Sequence, residues 1–129
     1  MPHLVLDGTV DLERVAARLD PGVVRWGRAV IKTGDCWLRA DGRAVLVEGV
    51  VVELSRPLHP VAVVALRDGG TAVRLWPVVH VERTPAVRRW RAVLATELQA
   101  LGAGAVRTTN LAPDMVDGLD LEIAVGGQP

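Results

Sequence analysis

The stretch from residue 23 to residue 76 constrains the fold most strongly, because its apolar segments are separated by residues that favour tight turns. Asp41-Gly42 lies between two such segments, and this dipeptide supplies the positive φ angles that a two-residue β-hairpin turn requires. Gly34-Asp35 and Asp68-Gly69-Gly70 mark two further turns. The pattern predicts an antiparallel meander of five strands, at about 23–32, 36–40, 43–54, 61–67 and 71–76.

The turn positions determine which side chains share a face, because residues directly opposite each other in an antiparallel pair point to the same side. One face is then almost entirely apolar and is the predicted core: Ala29, Ile31, Cys36, Leu38, Val45, Val47, Val64, Leu66, Val73 and Leu75. The opposite face, here called the mixed face, combines tryptophan, basic and aliphatic side chains: Trp26, Arg28, Val30, Lys32, Trp37, Arg39, Leu46, Val61, Val63, Arg74 and Trp76.

Strand 43–54 contains two glutamates whose spacing conflicts with a regular strand. Glu48 and Glu53 have opposite parity, so side-chain alternation would bury one of the two carboxylates. A one-residue bulge at Gly49 would leave both glutamates facing outward, and we therefore predict that bulge. The inward side chains would then be Val45, Val47, Val50, Val52 and Leu54.

Two amphipathic helices are predicted, one before and one after the meander. In residues 10–20 the apolar side chains follow the i, i+3, i+4, i+7 spacing of a helix, with Thr9 as the N-cap. In residues 85–101 Thr84 can cap the first turn, and Pro85 suits the first helical position. The buried stripe of this second helix is predicted to be Val87, Trp90, Leu94, Leu98 and Leu101.

The order of these elements predicts an α+β domain with a mostly antiparallel sheet of five to seven strands. Residues 3–6, 105–108 and 121–125 are candidates for the additional short strands. A chain of 129 residues is long enough for one core, so we expect a single domain over residues 1–125 and a flexible tail at 126–129.

The composition argues against several functional classes. The formal net charge is zero, and no nucleic-acid-binding module is recognisable, which argues against a nucleic-acid partner. No apolar run approaches the length of a membrane span and no leader-like segment is visible, so we expect a soluble, cytoplasmic protein without a membrane partner. The single cysteine excludes an internal disulfide.

Few side chains offer catalytic or metal chemistry. Cys36 could act as a nucleophile with a histidine, but its predicted position on the core face favours an inert, packed thiol. His59 and His80 flank the last hairpin and could bind a metal together with a carboxylate, although they lack the short ligand spacing of zinc sites. We therefore predict no catalytic residue, no metal and no cofactor.

Two charged clusters have simple structural explanations. The acidic cluster near the C-terminus lacks the spacing of a calcium loop, so its members are expected in turns and helix caps: Asp114, Asp117, Asp120 and Glu122. A basic cluster at the start of the second helix could contact a phosphate at the positive end of the helix dipole. Zero net charge and the excess of arginine over lysine favour a solvated face for this cluster, which comprises Arg83, Arg88, Arg89 and Arg91.

The mixed face is the predicted functional surface. If both helices pack on the apolar face, its tryptophans form a larger exposed apolar patch than soluble monomers usually carry. Tryptophan and arginine are also the residues most enriched at binding hot spots. The predicted site residues are Trp26, Arg28, Trp37, Arg39, Arg74 and Trp76.

Three hypotheses use this face in different ways. We favour the first, in which it is the homodimer interface of a non-catalytic interaction module. In the second, the sheet forms a cleft for a small amphipathic ligand or an enzyme's substrate, an arginine pairs with an anionic group, and His59 and His80 lie nearby. In the third, one helix covers each face and the tryptophans belong to the core.

Overall fold

The structure, a computed structural model of the chain, describes residues 4–109 and residue 111. These residues form two helices and one antiparallel sheet, which confirms the predicted α+β fold. The strands are ordered β2-β3-β4-β6-β7-β1-β8 across the sheet, and β5 pairs with the end of β4. In chain order the elements are β1 (Leu4–Leu6), α1 (Leu12–Arg18), β2 (Val23–Trp26), β3 (Ala29–Leu38), β4 (Ala44–Glu53), β5 (Arg56–Leu58), β6 (Val61–Arg67), β7 (Gly70–Leu75), α2 (Pro85–Ala100) and β8 (Val106–Thr109).

Both helices begin at capped turns. Thr84 Oγ1 accepts a hydrogen bond from the backbone N–H of Val87 at 3.2 Å, as the sequence predicts for α2. The first helix begins later than predicted, because Asp11 rather than Thr9 is its N-cap, and the Asp11 carboxylate accepts from the N–H of Glu13 at 3.0 Å. Neither of these two helices is long and apolar enough to cross a membrane.

The first hairpin turn differs from the prediction. The chain reverses at Gly27-Arg28, where Gly27 has a φ of 59°, so the predicted strand 23–32 is divided into β2 and the beginning of β3. Gly34-Asp35 is not a turn but a bulge inside β3: Thr33 pairs with Gly49 and Cys36 pairs with Val47. The predicted strand 36–40 is therefore the second half of β3.

The observed turn moves Trp26 to the face that packs against the helices. A two-residue turn at Gly27-Arg28 places Trp26 directly opposite Ala29, which is buried. Trp26 accordingly packs against the hydrophobic core. The prediction that Trp26 belongs to the mixed face is therefore wrong, and Arg28 lies in the turn itself rather than on a strand face.

The bulge predicted at Gly49 is also wrong. β4 continues without a change of phase, so Val47, Gly49 and Val51 all face the helices and Glu48 faces away from them. Glu53 has the parity of the helix-facing residues, but it is the last residue of the strand and remains half-exposed. The strand therefore needs no bulge to keep this carboxylate in contact with water.

The core lies between the two helices and one face of the sheet, which we call the inner face. α1 packs on β3 and β4, while α2 packs on β1, β3, β4 and β7. The predicted stripe of α2 is confirmed for Val87, Trp90, Leu94 and Leu98, which are fully buried. Because both helices occupy the inner face, the hypothesis of one helix on each face is wrong for α1 and α2.

Two residues predicted for the core are exposed. Leu38 is the last residue of β3, and Leu66 lies next to the last residue of β6. A strand face that is buried at its centre need not be covered at its ends, and the alternation of side chains carries no information about where coverage stops. Cys36 and Leu75 are half-buried and pack against the core.

The first strand joins β8 to the rest of the sheet. β1 lies between β7 and β8 and pairs antiparallel with both. Arg107 fastens this part of the molecule, since its Nε donates to Asp7 Oδ1 at 3.1 Å, its Nη2 to the backbone oxygen of Asp7 at 3.0 Å, and its Nη1 to the backbone oxygen of Asp68 at 3.0 Å. The predicted strand 121–125, the tail 126–129 and the acidic cluster lie outside the described residues.

Candidate functional site

The side of the sheet opposite the two helices is the main open surface of the described structure. We call it the outer face, and its residues on β3, β4, β6 and β7 are Val30, Lys32, Trp37, Leu46, Glu48, Val50, Val52, Val61, Val63 and Arg74. Apart from the charged residues, every member is aliphatic or aromatic. Four adjacent strands thus present a continuous apolar surface with charges at a few positions.

One row of side chains crosses the centre of this surface. Trp37, Leu46, Val63 and Arg74 are consecutive partners on β3, β4, β6 and β7. Trp37 is 48% exposed, whereas Val63 is only 3% exposed. Directly opposed side chains on neighbouring strands contact each other, so the row is a packed ladder with the indole at one end and a guanidinium at the other.

The six predicted site residues are only partly brought together. Trp37 and Arg74 share the row on the outer face, and Trp76 lies beside it, with its backbone N–H donating to Val61 O at 2.7 Å. Arg39 follows β3 and pairs with Asp41 of the same turn at 2.8 Å. Trp26 and Arg28 are elsewhere, on the inner face and in the β2–β3 turn.

The charges of the outer face are of both signs. Lys32 and Arg74 are exposed, and Glu48 is half-exposed between them on β4. Neither the row nor its surroundings contains a nucleophile next to a base. An apolar centre bordered by charges of both signs is a composition found at protein–protein contacts.

His59 and His80 do not form a site with carboxylates. His59 lies in the link between β5 and β6, His80 lies in the connection from β7 to α2, and both side chains are exposed. Within the described residues, no group of three or more histidine, cysteine, aspartate or glutamate side chains could hold a metal ion. No contact in the described structure tests the prediction that His59 and His80 lie near a ligand cleft.

A cleft of about 280 Å³ opens between the β4–β5 turn and the start of α2. Its lining differs from the predicted ligand site, because it contains no tryptophan, no histidine and none of the predicted arginines: Glu53, Leu54, Arg56, Leu58, Glu82 and Thr84. The guanidinium of Arg56 is paired with Glu82 across the cleft. The recess beneath Trp76 measures only about 10 Å³, which is roughly the space of one water molecule.

Cys36 has the properties of a structural thiol. It is half-buried, and its Sγ lies 4.0 Å from the backbone oxygen of Leu19 at the end of α1. Burial raises the pKa of the Cys36 thiol, and the negative charges of Asp35 and Asp20 raise it further. A raised pKa reduces the thiolate fraction near neutral pH, so Cys36 is poorly suited to nucleophilic catalysis.

Alkylation of Cys36 tests this conclusion. At pH 8 we expect iodoacetamide to react several-fold more slowly with the folded protein than with the urea-unfolded chain, because folding both buries the thiol and raises its pKa. The rate for the folded protein should continue to rise at pH values where the unfolded chain has levelled off. Asp35→Asn removes one cause of the shift and should accelerate labelling. Equal rates for folded and unfolded chains would show that Cys36 is accessible and that folding does not raise its pKa.

One residue of the basic cluster is buried rather than solvated. Arg91 is 1% exposed, although the cluster as a whole was expected to be solvated. The spacing alone favours burial, since Arg91 follows Val87 by four residues and precedes Leu98 by seven, within the apolar stripe of α2, but its charge favours solvent. Arg83 and Arg88 are exposed, as expected for a solvated face.

No family model matches this chain, and comparisons with curated proteins and with solved structures likewise found no match.

Proposed function

We propose that the protein is a non-catalytic interaction module that forms a homodimer through its outer face. The observation that carries this proposal is the position of Trp37, which is 48% exposed on a sheet face that α1 and α2 leave open. Burying the exposed half of an indole is worth about 2–3 kcal/mol. Leu46 and Val61, which are half-exposed on the same face, extend the apolar surface near Trp37, so a partner would bury more than a single side chain.

The distribution of charge favours a second copy of the chain as the partner. A two-fold interface brings one patch against the same patch of the partner, so the patch must complement itself. The outer face meets this condition, because Glu48 of one copy can pair with Lys32 or Arg74 of the other while the aliphatic side chains pack between them. The zero net charge of the chain adds no long-range repulsion between copies.

The proposal includes a cytoplasmic location. It is supported by the single cysteine, which is free in the structure and which a reducing compartment would keep as a thiol.

Replacing Trp37 with aspartate tests the dimer. We expect light scattering after size exclusion, at low micromolar concentration, to give twice the 13.8 kDa chain mass for the original protein and the single-chain mass for Trp37→Asp. The substitution removes the largest apolar contact and places one carboxylate opposite its symmetry mate, which would disfavour association by several kcal/mol. Circular dichroism should show an unchanged fold, because the indole lies outside the core.

Leu54→Asp is the matched control. Leu54 is 76% exposed, so it offers an equally accessible apolar side chain, but it lies in the β4–β5 turn rather than on the outer face. Its backbone has a φ of 54°, a conformation that aspartate tolerates better than leucine. We expect this variant to retain the dimer mass. A monomeric original protein, or a Trp37→Asp variant that stays dimeric, would exclude the proposed interface.

A further inference from the structure

Among the residues that the structure describes, Arg91 is a buried cation without a partner. Its side chain is 1% exposed, and none of its three guanidinium nitrogens has a hydrogen-bond partner within residues 4–109. A guanidinium carries five N–H donors and is always expected to bind acceptors when it is removed from water. Burial of an unpaired charge is among the most costly arrangements in a folded protein, so binding of an anion next to Arg91 would stabilise the fold.

The described carboxylates do not supply that anion. Their ion pairs join other arginines, with Asp7 bound to Arg107 and Glu82 bound to Arg56 as the two that tie distant segments together. The charged groups that act on Arg91 are instead cations: burial, followed by the positive charges of Arg83 and Arg88, lowers the pKa of Arg91 to about 10. Arg91 therefore experiences the positive charges of Arg83 and Arg88, and no described carboxylate is paired with it.

The geometry of α2 indicates where this region lies. Side chains of a helix lean toward its N-terminus, so the guanidinium of Arg91 extends toward the first turn, near Arg88 and Arg83. The cleft of about 280 Å³ borders the same end of α2 at Thr84. The cleft itself is lined by Glu53 and Glu82 and by none of these three arginines, so the anion would lie outside it, beside the exposed side chains of Arg83 and Arg88.

We propose that Arg91, together with Arg83 and Arg88, forms a binding site for a phosphate-class oxyanion at the N-terminal half of α2. A phosphate group brings up to two negative charges and several acceptor oxygens, which match three guanidinium groups better than a single carboxylate does. The positive end of the α2 dipole favours an anion at the same place. Arg83 also lines the small recess beside Val61 and Trp76 at the edge of the outer face, whereas Arg88 and Arg91 lie on α2.

Thermal unfolding in matched buffers tests the site. With inorganic phosphate as the probe, at constant ionic strength against sodium chloride, we expect the Tm of the original protein to rise saturably, by roughly 10 °C at a hundredfold excess over Kd. Sodium acetate under the same conditions should have a much smaller effect, which separates a phosphate site from a carboxylate site. Phosphorus NMR line broadening would report binding directly.

Arg91→Met is the decisive variant, because methionine keeps an apolar stem at this buried position and removes the charged guanidinium. Without phosphate we expect its Tm to exceed that of the original protein, since an unpaired buried charge has been removed. Added phosphate should then have little effect on it. Arg14→Met, in which the same change is made on the exposed surface of α1, should leave the phosphate response intact.

Three results would overturn the proposal. They are a Tm of the original protein that does not respond to phosphate, an equal response from Arg91→Met, and a clear loss of stability in Arg91→Met when no phosphate is present. The last result would mean that the charge of Arg91 already stabilises the fold without phosphate.

Discussion

Replacing Trp90 with alanine is expected to lower the free energy of unfolding by about 3–5 kcal/mol, the usual loss for a large aromatic side chain in a core. Trp90 is fully buried, and its indole covers the point where β3 and β4 pair through Thr33 and Gly49. The substitution leaves a cavity at this point and also removes the hydrogen bond from Trp90 Nε1 to Thr33 Oγ1, which measures 3.1 Å. Urea unfolding followed by circular dichroism measures the difference.

Two companion variants make the Trp90 result specific. Trp90→Phe retains a ring and loses the indole N–H, so an intermediate loss of about 1–2 kcal/mol is expected. Leu54→Ala removes an exposed side chain and should change stability by less than about 0.5 kcal/mol. A Trp90→Ala variant that unfolds at the urea concentration of the original protein would show that the indole is not part of the core.

Adding a methyl group at residue 49 is also expected to lower the free energy of unfolding. The Cβ of Gly49→Ala would lie 2.6 Å from Trp90 Cε2 and 2.7 Å from Cζ2, well inside the contact distance. Because the indole is enclosed and held by Thr33, it cannot move aside freely, and overpacking of this kind costs about 1–3 kcal/mol. The same urea experiment measures the loss.

A double-mutant cycle distinguishes a steric clash from a general cost of changing glycine in a strand. In the Trp90→Ala background the added methyl group enters an empty space, so Gly49→Ala should there be neutral or stabilising. Gly34→Ala is the control in the neighbouring strand, since its Cβ would meet the nearest atom, Glu48 Cβ, at an ordinary 3.5 Å. If Gly49→Ala costs the same with and without the indole, the clash is not the cause.

The sequence predicts most elements of this fold because each has a local chemical signal. Thr84 and Pro85 mark the start of α2, and Asp41-Gly42 marks the β3–β4 turn. These signals depend on φ angles and hydrogen bonds within a few residues, so they can be recognised in the sequence without knowing the tertiary structure.

The errors arise where a local signal has two structural uses. Glycine permits both a turn and a bulge, and the sequence offers Gly27 as well as Gly34 between the first two strand segments. The choice between them determines which face of the sheet each residue before the turn occupies. A turn at Gly34 predicts Trp26 on the outer face, whereas the observed turn at Gly27 places it on the inner face. Gly49 has a third use, the close approach of Trp90, and only the packing of α2 reveals it.

In the candidate site, too, some positions could be predicted from local signals and others depend on tertiary packing. Trp37 and Arg74 could be assigned to one face because both lie in strands whose registers follow from well-marked turns. Arg91 could not be recognised as buried, because its charge argues for solvent while its spacing argues for the core. Whether a polar residue within an apolar stripe is covered depends on what packs around the helix, and no local pattern encodes that.

The position of β1 between β7 and β8 has a consequence for the order of folding during synthesis. Leu4 pairs with Val73 on one side and with Thr109 on the other, so β1 is made before the other described strands but receives its partners last. A ribosome adds roughly 5–20 residues per second, and the buried side chains of Leu4 and Leu6 therefore stay exposed for several seconds on the nascent chain. The hairpins from β2 to β7 can form during that time, and the sheet is completed only as β8 emerges.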